Sequence, residues 1–388
     1  MKVQTGLDVF LSDADRYANR SVALIANQTS VTASLEYSWH AYARSGLKLK
    51  RIFTPEHGLF GTEQDQVPVT DQPTAGPETV SLYGDSARTL RPLDDMLDGI
   101  DTALFDMQDV GSRYYTYVNT MAMFMEALAG RDVEFIVLDR PNPLGGIAVE
   151  GPGLEQGFES FVGLFHLPVR HGLTAGELAL WYRERHRLDV KLTVIRMIGW
   201  RRSMLFPETG LPWVPPSPNM PTQDTALVYP GTCLLEGTTL SEGRGSTMPF
   251  QMCGAPFIGP EEYALLLNAQ GVPGVFFRPT HFKPTFNKFA GENTGGVYLH
   301  VTDQAAFLPF LAGVAVVWAA RKLYGERCAF PQGVYEFNSA HPAFDLLAGS
   351  ATIREMIDAG KDMDTISSSW KDVEARFSAE KSPYHLYE

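Results

Sequence analysis

Polar side chains gather in three short segments, each directly after an apolar run that is typical of a buried strand. The segments are TPEHG, QDVGSRYYTY and DRPNPLGG, and the last continues into VEGP. Their candidate functional residues are Glu56, His57, Gln108, Asp109, Arg113, Tyr114, Tyr115, Asp139, Arg140, Asn142 and Glu150. Carboxyl groups facing one cleft suit glycoside hydrolysis: one protonates the leaving oxygen, and the other stabilises or attacks the sugar cation. Tyrosine rings stack on sugars, and arginine binds a substrate carboxylate.

A second cluster lies further along the chain, in LEGTTLSEGRGST. It contains Glu236, Glu242 and Arg244, and Asn219 lies just upstream. The glycines between them permit tight turns close to a ligand. The segment is therefore interpreted either as a site wall contributed by the second half of the chain or as a glycine-rich linker.

Each candidate also has a purely structural interpretation. Glu56 follows a proline and could cap a helix, and Asp109 could form an Asx turn before Gly111. His57 could be a buried core histidine, and the tyrosines could belong to the core. Asp139 could be a structural anchor at the end of its strand.

Cofactor and metal signals are weak. No G-x-G-x-x-G, P-loop or G-x-S-x-G sequence is present, which disfavours nucleotide binding and an α/β-hydrolase triad. His166, His171 and Glu177 resemble a metal set only loosely, and the three cysteines have no C-x-x-C spacing. We therefore predict no metal and no cofactor.

Alternating strand and helix patterns must position these residues. Apolar runs predict strands at residues 21–28, 49–55, 102–107, 134–141 and 192–197. Helical patterns separate them at residues 34–46, 117–130 and 174–187, the last with Thr174 as its N-cap. This alternation predicts an α/β fold with a doubly wound, mainly parallel sheet, in which ligands bind beyond the carboxyl ends of the strands.

The pattern changes after the proline-rich stretch LPWVPPSPNMP, which is either a linker or a rigid loop. Beyond it, a helix at residues 260–271, two paired strands and a long helix at residues 305–324 predict a smaller α+β domain. We predict domains at residues 1–227 and 228–388.

Composition narrows the classes of partner. The chain of 388 residues carries 32 Lys and Arg against 45 Asp and Glu, a net charge of −13. The lack of a basic face disfavours nucleic acid and membrane surfaces. The first residues lack the apolar core of a signal peptide, so we expect a cytoplasmic protein, or a periplasmic or secreted one if the sequence is a trimmed mature form.

The ordered segments TPEHG, QDVGSRYYTY, LDRPNPLGG, VEGP, SPNMPT and LEGTTLSEGRG resemble the exo-lytic β-N-acetylmuramidases, a bacterial family of glycoside hydrolases. The resemblance spans nearly the whole chain. It implies a Rossmann-like domain without a nucleotide, a C-terminal auxiliary domain and a cleft between them. The implied activity is release of N-acetylmuramic acid from the non-reducing ends of peptidoglycan fragments during cell-wall turnover.

The resemblance points to Glu56 as the leading catalytic acid. It matches Glu150 to the E-G-P segment of the family, while Asp109, Glu236 and Glu242 stay open as the second carboxyl group. Arg113, Arg140 and Arg244 are candidates for holding the lactyl carboxylate of the sugar. Two other functions stay open: a metal-assisted hydrolase that uses His57, Asp109 and His171, and a muropeptide-binding protein without catalysis.

Overall fold

A six-stranded parallel sheet organises the first part of the chain. The computed structural model describes residues 2–70 and 76–388. Its parallel strands are β1 Ser21–Ala26, β2 Lys48–Thr54, β3 Glu78–Ser81, β4 Thr102–Asp106, β5 Glu134–Leu138 and β6 Lys191–Ile195. They are ordered β3-β2-β1-β4-β5-β6. The order reverses direction between β1 and β4, which is the doubly wound arrangement. The predicted α/β class is confirmed.

Helices cover both faces of this sheet. They are α1 Gly6–Leu11, α2 Ser38–Arg44, α3 Thr116–Leu128 and α4 Ala175–Arg185. Neighbouring strand residues point to opposite faces: Leu24 packs in the core with α1 and α2, and Ile25 packs in the core with α3 and α4. The central strands are buried on both faces for this reason, and their sequences read as continuous apolar runs.

A three-stranded antiparallel sheet and a set of helices form the second part of the chain. The strands are β7 Met252–Ala255, β8 Val275–Phe282 and β9 Thr294–Val301, in the order β7-β9-β8. The helices are α6 Pro260–Asn268, α7 Pro309–Tyr324, α8 Ala343–Ala348, α9 Thr352–Asp358, α10 Met363–Ser368 and α11 Lys371–Glu380. The paired strands were predicted. The long helix begins at Pro309 rather than at residue 305, because proline is favoured in the first turn of a helix.

The proline-rich stretch is an ordered loop that leads into α5, Gln223–Thr232. The Gln28 amide donates hydrogen bonds to the carbonyl oxygens of Pro215 at 2.8 Å and of Pro216 at 2.9 Å. The Tyr117 hydroxyl also donates to the carbonyl of Pro216. These contacts favour the rigid-loop interpretation over the linker.

Helices α5 and α7 contact each other through two glycines. A Cβ atom at Gly231 would lie 1.8 Å from the Pro309 carbonyl oxygen, and one at Gly313 would lie 2.1 Å from the Gly231 carbonyl oxygen. Only glycine allows this approach. The predicted domain boundary at 227/228 falls inside α5, and the division into two domains stays a prediction.

None of the helices in residues 2–70 and 76–388 is both long and apolar enough to cross a membrane.

Candidate active site

The loop that follows β2 carries Glu56 to the carboxyl end of the sheet, where it lines a cleft. One carboxylate oxygen of Glu56 accepts a 2.8 Å hydrogen bond from the Thr116 hydroxyl, and the other accepts a 3.3 Å bond from the Gln66 backbone N–H. His57 lies beside it with a φ of +71°, and its Nδ1 donates to the Glu63 carbonyl at 2.8 Å. The two side chains that the TPEHG segment singled out therefore line the same cleft.

Tyrosines from both parts of the chain form an aromatic wall of this cleft. Tyr114 and Tyr115 come from the connection between β4 and α3, and Tyr229 comes from α5. The Tyr229 ring lies edge-on to Tyr114 at 5.7 Å and to Tyr115 at 5.6 Å between centroids. Burial raises the pKa of all three phenols well above the usual value, so they stay neutral hydrogen-bonding groups at ordinary pH.

Arg244 joins three carboxylates and lines the same cleft. Its guanidinium lies 2.7 Å from Glu236, 3.1 Å from Asp65 and 3.3 Å from Glu242, and it lies over the Phe250 ring at 4.8 Å. Burial disfavours the charge on Arg244, but these carboxylates outweigh burial and raise its pKa. Burial raises the pKa of Glu236, with smaller contributions from Asp65 and Glu242.

Glu242 is buried and does not line the cleft. Its carboxylate accepts a 3.2 Å bond from the Lys288 ammonium, which also donates to the carbonyls of Leu235 and Leu240. Burial opposes ionisation of Glu242, but the charges of Lys288 and Arg244 prevail and lower its pKa. Glu242 therefore positions Arg244 and the segment around it.

Glu336 enters the cleft from the segment between α7 and α8. Its carboxylate accepts a 2.8 Å hydrogen bond from the Tyr83 hydroxyl. The neighbouring Tyr335 hydroxyl donates to Glu236. Burial, and then the charge of Glu56, raise the pKa of Glu336 well above the usual value. Glu336 therefore lines the same cleft as Glu56, and its surroundings favour the protonated form.

The assembled cleft has the lining of a small-molecule site. The space between its residues, open solvent included, is about 420 Å³. The lining residues are Glu56, His57, Asp65, Tyr114, Tyr115, Thr116, Val162, Ser217, Tyr229, Glu236, Arg244, Phe250, Tyr335 and Glu336. Four carboxyl groups, one guanidinium and an aromatic wall can hold a polar ring and exchange protons with it.

Comparisons with known proteins match the whole chain. Models of the N-terminal and C-terminal parts of exo-β-N-acetylmuramidase NamZ match residues 22–224 and 227–387. Peptidoglycan β-N-acetylmuramidase NamZ of Bacillus subtilis (strain 168) is 43% identical over 390 aligned residues, covering 100% of this chain and 92% of that protein.

The chain belongs to the exo-β-N-acetylmuramidase NamZ family.

Two solved structures have the same fold as this chain. One DUF1343 family protein of Bacteroides fragilis superposes with a TM-score of 0.91 at 34% identity, and another with 0.79 at 28%. Each match covers 100% of this chain and 99% of the other. The family resemblance drawn from the ordered segments is confirmed.

Several predicted residues of this NamZ-family chain lie outside the cleft, with their polar groups engaged by the protein. Asp139 accepts hydrogen bonds from Thr174, from the Gly176 N–H and from Tyr387, and so anchors the start of α4. Burial raises its pKa to about 6. Asn142 donates to the Leu173 carbonyl at 2.9 Å. These contacts give Asp139 and Asn142 structural roles.

Gln108, Asp109 and Arg140 occupy the crevice where the strand order reverses. The Gln108 amide donates to the carbonyls of Asp109 and Pro141, each at 2.7 Å. Asp109 accepts from the Gly111 N–H at 2.7 Å, which is the Asx turn considered from sequence, and burial raises its pKa to about 7. Arg140 pairs with buried Asp106 at 2.6 Å. These side chains bond to groups of this chain at the position where other doubly wound folds hold nucleotides.

Three other predicted residues also lie outside the cleft. Arg113 and Glu150 join the two parts of the chain, and His171 lies in the interior. Arg113 donates to the carbonyls of Pro152, Leu167 and Leu347 at 2.7–2.8 Å, so it has no free donor fork for a substrate carboxylate. Glu150 accepts from the Leu311 N–H at 2.9 Å at the start of α7. His171 is fully buried and accepts from the Leu173 N–H.

Of the arginines predicted to hold a lactyl carboxylate, only Arg244 lines the cleft, and three carboxylates already surround it. Asn219 does not line the cleft, and its amide donates to the Gln64 side-chain oxygen at 2.7 Å. The metal-assisted alternative loses its ligand set, because the described residues contain no group of three His, Cys, Asp or Glu side chains placed to share an ion.

Sequence reasoning missed Asp65, Tyr83, Thr116, Ser217 and Glu336. Asp65 and Thr116 lie within or beside segments that were already singled out, so proximity to those segments could have found them. Glu336 follows no strand and belongs to no periodic pattern, so no local signal marks it.

Proposed function

We propose that this chain is an exo-acting β-N-acetylmuramidase that releases N-acetylmuramic acid from the non-reducing ends of peptidoglycan glycan fragments. The observation that carries the proposal is the cleft in which Glu56 and Glu336 face one space beside an aromatic wall. Two carboxyl groups around one sugar are the requirement for most glycosidases. The choice of N-acetylmuramic acid as the sugar follows the Bacillus subtilis relative, which is named a peptidoglycan β-N-acetylmuramidase.

Glu56 is the first catalytic carboxyl group of this proposal. Thr116 and the Gln66 N–H fix both of its oxygens, so its direction is set before substrate arrives. The wall of Tyr114, Tyr115 and Tyr229 offers apolar ring surface to the pyranose. Arg244 holds Glu236 and Asp65 in place around the sugar.

The test is incubation with a disaccharide that has N-acetylmuramic acid at its non-reducing end, with detection of free monosaccharide by mass spectrometry. We expect release by the wild type and by Glu261→Gln, a surface control, and a large loss for Glu56→Gln. A matched glycan that ends in N-acetylglucosamine should not be shortened. Binding of the disaccharide without release of sugar would instead identify a muropeptide-binding protein.

A further inference from the structure

Glu336 is held in the cleft by an unusual turn. The backbone N–H and C=O groups of Tyr335 and Asn338 pair with each other at 2.8 and 2.9 Å, and the two residues between them form the tip. Glu336 has a φ of +46° and Phe337 a φ of +63°, values that non-glycine residues rarely adopt. Backbone strain of this kind persists only where surrounding contacts impose it, and it is concentrated at functional sites.

The surroundings of Glu336 and Glu56 differ. Glu56 accepts two hydrogen bonds, one from the Thr116 hydroxyl and one from the Gln66 N–H. Glu336 has one, the Tyr83 hydroxyl, and it is exposed to the negative charges of Glu56, Glu236 and Asp65. The guanidinium of Arg244, which lines the same cleft, is bound to Glu236 and Asp65. Burial, and then the charge of Glu56, raise the pKa of Glu336 well above its usual value, which favours its protonated form.

We propose that Glu336 is the second catalytic carboxyl group and the proton donor to the leaving glycosidic oxygen, while Glu56 is the charged partner. This inference rests on the proposed muramidase function. It departs from the assignment of Glu56 as the acid that the family resemblance suggested. It also replaces Glu150 and Asp109, which lie outside the cleft, as the second carboxyl group.

The proton balance of this scheme closes within the cleft. Glu336 gives its proton to the glycosidic oxygen as the bond from that oxygen to the anomeric carbon breaks. Water adds to the anomeric carbon and gives a proton to Glu56, which is ionised at the start. Transfer of that proton through solvent back to Glu336 restores the starting state, and the net reaction is hydrolysis.

The experiment compares two substrates with different leaving groups. The leaving group of the natural disaccharide is a sugar alkoxide, which needs a proton donor. The leaving group of a 4-nitrophenyl β-muramide is a stable phenolate, which does not. We expect Glu336→Gln to lower kcat/KM on the disaccharide by roughly 10²-fold or more and on the nitrophenyl substrate by less than about tenfold. Glu56→Gln should lose activity on both substrates, and Glu261→Gln on neither.

The pH profile supplies a second measurement. On the disaccharide, wild-type kcat/KM should fall at high pH as Glu336 ionises, whereas on the nitrophenyl substrate the same ionisation should lower kcat/KM by less than about tenfold. If Glu336→Gln loses kcat/KM equally on both substrates while the wild type still releases sugar, the proton-donor role of Glu336 is wrong and the proposed function stands. A wild type that hydrolyses neither substrate would overturn the proposed function and this role together. If Glu336→Gln does not fold, Tyr83→Phe tests the same role, because the basic limb of its kcat/KM on the disaccharide should shift to higher pH.

Discussion

The hydroxyl of Tyr83 donates a 2.8 Å hydrogen bond to the carboxylate of Glu336, across 253 residues of sequence. Tyr83 follows β3 at the edge of the parallel sheet, and Glu336 lies in the turn before α8. Both side chains are buried, so the bond forms away from bulk water. The protonation of Glu336, in the second part of the chain, therefore depends on Tyr83, in the first part.

Removing this bond should move the pH profile in a definite direction. Tyr83 donates to the ionised form of Glu336 and so lowers its pKa against the larger effect of burial. In Tyr83→Phe the pKa of Glu336 should rise further, and the basic limb of kcat/KM on the disaccharide should shift to higher pH. Tyr324→Phe is the matched control, because the Tyr324 hydroxyl donates at 2.8 Å to Glu262, which lies outside the cleft. A basic limb that moves to lower pH would contradict this account.

Glu56→Gln should remove activity without removing the fold. The amide keeps an oxygen that can accept from Thr116, but it has no charge to stabilise a sugar cation and no proton to exchange. We expect turnover of 4-nitrophenyl β-muramide to fall by roughly 10²-fold or more, with an unchanged thermal unfolding midpoint. Near-wild-type turnover would exclude Glu56 from catalysis.

Arg244→Met should destabilise the whole protein. The substitution leaves buried Glu242 and half-buried Glu236 and Asp65 without this cation, and breaking one side of a buried ion pair costs about 3–5 kcal/mol. Urea unfolding monitored by tryptophan fluorescence measures this loss. Arg16→Met is the control: Arg16 and its partner Asp13 are 70% and 62% exposed, so its loss should cost less than about 1 kcal/mol. Equal effects of the two variants would show that the Arg244 cluster adds no stability.

Glu150 should make the stability of the protein fall as pH rises. Burial raises its pKa from the ordinary value of 4.5 to about 7 in the folded state. Its contribution is fully present below pH 4.5 and is lost between pH 4.5 and 7, by at most about 1.4 kcal/mol per pH unit. Glu150→Gln keeps an acceptor for the Leu311 N–H and should flatten this decline in the free energy of unfolding. Parallel stability curves for the two proteins between pH 5 and 8 would disprove the effect.

The sequence predicts the edge of the sheet where chemistry occurs more reliably than it predicts the reacting groups. Glu56 and Asp139 both follow buried parallel strands, so both lie at the carboxyl end of the sheet. Only Glu56 faces the cleft, because Thr174, Gly176 and Tyr387 surround Asp139. Tyr387 lies 248 residues away, and no local pattern reports such a contact.

Three strands of the parallel sheet show why some elements were predicted and one was missed. β1 and β4 are buried and mostly apolar and were found, whereas β3 has four residues, only two of them buried, at the sheet edge. The turn that carries Glu336 depends on tertiary contacts with the sheet edge. A single sequence therefore identified one carboxyl group of the proposed pair and missed the other.

The contact of α5 with α7 at Gly231 and Gly313 also bears on how a sugar chain enters. Any hinge rotation between the two parts would separate backbones that only glycine allows to touch, and would break the bonds of Arg113 to the Leu347 carbonyl and of Glu150 to the Leu311 N–H. The contacts between the two parts therefore favour a preformed cleft. The side chains of the cleft are already in place when the glycan end arrives, so binding costs little conformational entropy.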